Sequence, residues 1–414
     1  MNIFDRYGAS LAAVLGAAVG AYSILEAPGN DGLIAESLDV WFGSFVSPQW
    51  AGTVAVVAAV LTLIALQIRR SSALVAASAV AGCIVIAVPS FVPVGGNIAV
   101  STNSVGAGLL LGAVGAIAAG HRLSQLAFAL GILAAVLFKG AVDVHLPADE
   151  GRWTVSFPEP FEVSSTIPIV VLAVVAASIA AVALRAASGI DQLDVPSTVV
   201  LLALPFGFLL AYVYLGSFTS TTTTWVVAAI VSLVLVLAAS RIVDARDGNV
   251  LLAGFAVAAA SVNGLGWGPT SWWVAVLGVL ALLGGAVMGL FRPSVKVATG
   301  LLVAVTASGL LAGTAWLGAV PTIAYAVVFP FAVGMAMSSC LPAGVAASVV
   351  GPMLPLCTTL FSDTAPAPPP DYGWTSGLAE NYVPPTVVLY SPLFVGVVIA
   401  ALSVVAVGAA RRRL

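Results

Sequence analysis

Residues 49–92 read QWAGTVAVVAAVLTLIALQIRRSSALVAASAVAGCIVIAVPSFV. Two uncharged apolar runs, 49–67 and 73–92, stand on either side of Arg69-Arg70-Ser71. Each has about the 20 residues that an α-helix needs to cross ~30 Å of hydrocarbon. In lipid every backbone N–H and C=O must find its partner within the protein, and a helix does this inside one segment. The arginine pair then reads as a water-facing turn between two membrane-crossing helices.

The same punctuation recurs along the chain. Apolar runs fall at about 8–25, 49–67, 73–92, 98–119, 124–143 and 166–186. A second group falls at about 197–216, 224–240, 249–265, 272–290, 296–316 and 319–337, and a last pair at about 341–360 and 387–410. The expected fold is an all-α polytopic membrane protein with about 14 transmembrane helices, within a range of 12 to 14. The gap at 338–342 holds Ser338, Ser339 and Pro342 but no charge. It fits either a turn between two spans or a break within one helix. The run after Asp5-Arg6 resembles a signal peptide. No small-x-small cleavage site opens a soluble domain behind it, so it is expected to be the first span.

Composition agrees. Of 414 residues, 61% are hydrophobic and 7% charged, whereas soluble domains carry about 25% charged residues. A water-soluble globule of this size would lack the polar surface to cover itself. The net charge of −3 and the absence of a basic run beyond Arg411-Arg412-Arg413 point away from nucleic acid. Cys83, Cys340 and Cys357 lie in apolar stretches without metal-ligand spacing, and His121 and His145 fall on opposite faces of the expected topology. Neither a metal nor a cofactor is implied. No P-loop, G-x-S-x-G elbow, H-E-x-x-H pair or arginine ladder occurs.

Orientation follows from the positive-inside rule. With the N-terminus inside and strict alternation, Arg6, Arg69, Arg70, Arg122, Arg185, Arg241, Arg246, Arg292, Lys296 and Arg411 to Arg413 are cytoplasmic, which is 12 of the 14 basic residues. Lys139 and Arg152 fall on the other side. An even span count keeps the C-terminal arginines inside, so both termini are expected in the cytoplasm and the protein in the cell membrane. The long outer loops, about 26–48, 144–165 and 361–386, combine acids with aromatic residues, and the third holds Pro366 and Pro368-Pro369-Pro370. They read either as solvated loops with interfacial anchors or as a cap over an entrance.

Polar groups at depth are the informative ones, because a charge at a helix centre costs about 2.5–3.5 kcal/mol on insertion scales. Lys139 and Asp143 sit four residues apart on one face of the fifth span. Lys139 lies roughly 20 Å along that helix from Ser124, near the outer surface. With His145 they form either a proton-coupling or ion-pair element, or a snorkelling lysine beside a hydrated acid. Asn97, Asn103, Thr219, Thr222 and Asn263 are candidates for lining a substrate cavity; Ser and Thr at helix starts serve equally as caps. Around the cytoplasmic turns, Arg69, Arg70, Arg241, Asp244 and Arg246 are candidates for a latch holding one conformational state, or for a solvated loop.

The loop order resembles the major facilitator superfamily. Gln67-Ile68-Arg69-Arg70-Ser71 stands where that family carries a Gly/Asp/Arg motif between spans two and three. Asp244-Ala245-Arg246-Asp247-Gly248 resembles the weaker copy between spans eight and nine, and Gly106-Ala107-Gly108 resembles the family's Gly-rich fourth helix. The resemblance covers about residues 8–340. It implies a six-helix bundle over 1–190, a second over 191–340, and two additional helices over 341–414 with a Pro-rich outer loop. Other fourteen-span folds, the lipid-flippase superfamily among them, share the layout.

Three functions are open to this sequence. The first is a secondary transporter or exporter of a small amphipathic or lipid-like substrate, working by alternating access around a midplane cavity lined by spans four, five, seven and eight. The second is an envelope-assembly enzyme using outer-loop acids such as Asp39, Asp149 or Glu150 on a lipid-linked substrate. The third is a non-catalytic membrane scaffold. The partners implied are the bilayer and a small-molecule or lipid substrate; nothing names a protein partner.

Overall fold

A computed structural model describes residues 3–25, 48–69, 71–91, 96–145, 167–185, 194–217, 222–261, 271–311, 317, 319–357 and five residues between 398 and 405. They form helices, and no strand occurs among them. In chain order the first six are α1 (Ile3–Leu25), α2 (Pro48–Arg69), α3 (Ser72–Ala87, extended by a 3₁₀ turn at Val88–Ser90), α4 (Gly96–Ala118), α5 (Arg122–His145) and α6 (Ile169–Arg185). Then follow α7 (Val195–Ser217), α8 (Thr222–Ile242), α9 (Ala245–Ser261), α10 (Trp272–Phe291), α11 (Val295–Ser308), α12 (Ala319–Ser339) and α13 (Val345–Cys357). Among the described residues seven helices are long and apolar enough to cross a membrane: α1 to α5, α10 and α12. α6, α7, α8, α11 and α13 hold shorter apolar stretches. The chain is a multi-pass helical membrane protein.

Side-chain distribution shows a bilayer working as the solvent. On α10, Leu277, Leu280, Leu283, Val287 and Phe291 are exposed, whereas Gly278, Leu282, Gly285, Ala286 and Gly289 face the interior. The larger residues therefore point at lipid and the smaller ones at protein. Lipid tails are as apolar as leucine, so helix association rests on packing, and small residues let backbones approach.

Those close approaches give the register. Gly108 of α4 meets Ala55 of α2, and Gly112 meets Ala59, so α2 and α4 run parallel. Gly131 of α5 lies on Val14 and Ala17 of α1, with Ser10 and Ser124 hydroxyls 3.3 Å apart further down the same pair. Gly82 and Ile86 of α3 meet α4 near Gly106 and Leu110 in antiparallel sense. Gly285 of α10 meets Phe331 of α12 and Gly289 meets Met335, again parallel. Gly254 of α9 meets Gly351 of α13 while Asp247 meets Gly344. Every pair fits a simple up-and-down alternation. The short turns after α2, α4, α8, α10 and α12 then share one end of the bundle with Arg69, Arg122, Arg185, Arg241, Arg246, Arg292 and Lys296. Trp272 and Trp273, stacked with ring centroids 3.6 Å apart and both exposed, mark the opposite end.

Two helices are shaped by proline. Pro330 has no N–H to give and its ring crowds the carbonyl four residues back. α12 responds with a π-helical segment at Ala324–Val328, where the Phe329 N–H reaches back five residues to Ala324. This widened turn presents Tyr325, whose buried hydroxyl donates to the Ala260 carbonyl at 3.3 Å and fixes α12 to the end of α9. α13 contains Pro352 and Pro355. Pro355 withdraws the usual partner of the Gly351 carbonyl, and this carbonyl is the group that faces Gly254.

α12 ends at Ser339 and α13 begins at Val345, so residues 340–344 separate two helices. Of the two additional helices expected over 341–414, the first is α13. All thirteen residues of α13 are buried, and the helix lies against α9, α2, α5 and α7. It is central because its Gly, Ala and Ser surface admits close neighbours on several sides. Its fourteenth-run successor, 387–410, lies almost wholly outside the described residues.

A side chain at Gly254 would drive into the Gly351 backbone, which cannot yield as a flexible side chain would. Gly254→Val should destabilise the fold by about 1–3 kcal/mol through overpacking, read as a lower apparent Tm of the detergent-solubilised protein. Gly300→Val on α11, where no atom lies within 4 Å of the added Cβ, should leave it unchanged.

Candidate functional site

The described structure contains a cavity of about 380 Å³ walled by side chains of four helices. α1 contributes Ala18, Val19 and Tyr22; α5 contributes Ala134, Ala135 and Phe138. Ile167, Pro168 and Val171 enter from the start of α6, and Val279 comes from α10. Small residues on α1 and α5 leave the volume, above the level where Gly131 lies on Val14 and Ala17. The walls are apolar apart from the Tyr22 hydroxyl. Pro168 and Val171 are themselves exposed, as are Val170 on α6 and Leu280 on α10. Among the described residues the cavity therefore opens sideways between α6 and α10, where the bilayer would lie.

Its depth follows from the register. Phe138 touches the position of Gly278, six residues into α10 from Trp272, or about 9 Å at 1.5 Å per residue. The cavity thus sits about 9 Å inside the level of the tryptophan pair. Of the spans expected to line a midplane cavity, the fifth contributes to this one; α4 is enclosed by α1, α2 and α3, and α7 packs on α8 and α2.

Lys139 is half-buried and stands one helical turn beyond Ala135, toward the tryptophan end. Asp143 and His145 continue the same helix, but their side chains lie outside the described residues. Asn103 is buried within the bundle at 4% exposure, and its Oδ1 has no hydrogen-bond partner among the described residues. It is one turn from Gly106, at the α3–α4 contact, level with the 3₁₀ turn where the Ser90 hydroxyl is also unpartnered. It does not reach the cavity wall. The Asn97 and Thr222 side chains, Thr219 and Asn263 lie outside the described residues.

At the basic end the latch candidates do not engage one another. Arg69, Arg241, Asp244 and Arg246 are exposed, and no ion pair joins them among the described residues; Arg70 lies outside that set. The working residue of this loop is Asp247, which the sequence placed in the motif-like stretch but not among the latch candidates. It is 6% exposed in the first turn of α9, and its Oδ1 accepts the backbone N–H groups of Ala343 at 2.8 Å and Gly344 at 2.9 Å. It thereby caps the N-terminus of α13 across nearly a hundred residues of chain. A side chain at Gly344 would displace the Asp247 carboxylate from this position. Charge-assisted bonds to a helix N-terminus also meet the positive end of its dipole. The available signal was Asp-Gly at the start of an otherwise apolar run. A second cap in the described loops is more ordinary: Asp194 accepts the Ser197 hydroxyl at 2.6 Å and its N–H at 3.1 Å at the head of α7, and these bonds hold its carboxyl below the usual range.

No protein-family model matches the chain, and no curated protein is similar to it.

Removing the α13 cap tests its weight. Hydrogen bonds to a charged group contribute about 1.5–3 kcal/mol. Asp247→Ala should therefore lower the apparent Tm by several degrees, and Asp247→Asn should restore much of it because asparagine also caps. Asp244→Ala, at an exposed position, should behave as wild type.

Proposed function

We propose that this protein is a secondary transporter of the major-facilitator type for a small amphipathic or lipid-like substrate, with fourteen spans and both termini in the cytoplasm of the cell membrane. The observation that carries this reading is a repeat in the packing. In the first half α1 pairs with α5, α2 with α4, and α3 with α4. Eight helices later α9 pairs with α13, α10 with α12, and α11 with α12. The sense is the same in each case: α1/α5 and α9/α13 run parallel, as do α2/α4 and α10/α12. Two like bundles, α1–α6 and α9 onward, would flank an inserted pair, α7 and α8. Internally repeated bundles that rock about a shared site are the usual architecture of secondary transporters.

The cavity supports the same reading. Three of its wall helices belong to the first bundle and one, α10, to the second. A site built from both bundles changes shape when they move relative to each other. Neither a charged nor a strongly polar wall is present to hold a hydrophilic metabolite, which favours an amphipathic substrate. The enzyme alternative relies on Asp39, Asp149 and Glu150, all outside the described residues.

In sealed vesicles the purified protein should accelerate redistribution of an amphipathic fluorophore, tested over a panel from a rhodamine dye to a short-chain fluorescent phospholipid. A proton gradient should raise that rate several-fold for wild type and not for Asp143→Asn. Redistribution equal to that of protein-free vesicles across the panel would remove the transport reading, and a normal response of Asp143→Asn would remove the coupling assignment.

A further inference from the structure

We infer that the lateral cavity holds an acyl chain of a phospholipid from the leaflet on the tryptophan side, with the Lys139 ammonium pairing to that lipid's phosphate. This deepens the transport reading, on which it rests for its meaning, by naming the substrate class. Three features of the site specify such a ligand together.

The first is the wall. Ala135, Phe138, Val171 and Val279 enclose a volume without a charge, suited to hydrocarbon. The second is the mouth. It opens between α6 and α10, beside Val170 and Leu280, which are 73% and 60% exposed on the surface that faces lipid. A chain can enter from the bilayer without crossing water. The third is the position of the only basic side chain on the described cavity-lining helices above the cavity. Lys139 follows the wall residue Phe138 directly and lies one turn outward of Ala135. From that level, about 8 Å inside Trp272, its flexible four-carbon stem can carry the ammonium to the headgroup layer that exposed tryptophans mark.

Hydrocarbon depth, side entry and a cation at phosphate height match an anionic or zwitterionic phospholipid. The ammonium has three donors, so a phosphate can share it with a protein partner. Lys139 also departs from the charge distribution of the chain, in which 12 of 14 basic residues belong to the other side.

The test reads binding without transport. The full-length protein is solubilised, incubated with an equimolar mixture of palmitoyl-oleoyl phosphatidylglycerol and phosphatidylcholine, and its retained lipid is counted by native mass spectrometry. Wild type should retain one phospholipid per chain through delipidating washes, with phosphatidylglycerol preferred about fivefold, the factor expected of one lysine near an anionic surface. Lys139→Gln should keep the lipid and lose the preference. Ala135→Trp, which fills the cavity, should lose the lipid; if that variant does not fold, Val279→Trp at the rim serves the same purpose. Retention unchanged in both tryptophan variants, or an unchanged preference in Lys139→Gln, would overturn the assignment. Loss of transport with retention and preference intact would leave the site standing and count against the transporter reading instead.

Discussion

Every helix in this protein must find its neighbours without help from the hydrophobic effect, because lipid solvates an apolar side chain as well as protein does. What remains is contact at backbone distance, and the structure depends most on that contact at α13. Gly351 lies against Gly254 of α9, and Leu356 presents its carbonyl to Gly52 of α2. α13 thereby joins the first and second halves of the chain through positions where a single methyl group would collide. The prolines at 352 and 355 leave carbonyls of this helix without their usual intrahelical partners. Buried in protein, a glycine-lined groove is one of the few places where such carbonyls are tolerated at membrane depth.

Polar interactions are scarce, and their placement matters more than their number. Asp247 is a buried carboxylate, but it lies at a helix end, where two N–H groups and the dipole of α13 receive it. It thus fixes the start of α13 at the point where the tight α9 contact begins. At the opposite end Tyr325 does a similar service from the π segment, holding α12 against the last turn of α9. α9 is anchored at one end to α13 and at the other to α12. These two ties hold α9 to its neighbours at both ends.

Much of the fold was legible in the sequence. The apolar runs and their arginine punctuation located thirteen helices to within a few residues, because span length and charge cost are properties of single segments. Grouping the helices was not legible. Which of two like hydrophobic runs is central depends on small residues meeting across helices far apart in the chain, as Gly254 and Gly351 do. The cavity was invisible for the same reason, since its walls are alanine, valine and phenylalanine, indistinguishable in sequence from core. Lys139 stands out in the sequence because a charge out of pattern is costly, and the structure sets it half-buried one turn beyond Ala135. Asp247 was not legible as a cap, because its partners are backbone N–H groups 96 residues away.

In the proposed transporter, relative motion of the two halves reshapes the cavity that α10 shares with α1, α5 and α6. The most direct test is a pair of distance measurements by electron spin resonance on doubly labelled protein in liposomes. Leu123 on α5 and Val297 on α11 are exposed at the basic end of opposite halves, and Tyr7 on α1 and Leu184 on α6 are exposed there within one half. The account predicts two populated distances for the 123–297 pair, with their ratio shifting on imposing a proton gradient, and a single unchanged distance for the 7–184 pair. One fixed distance for both pairs, with and without the gradient, would contradict it.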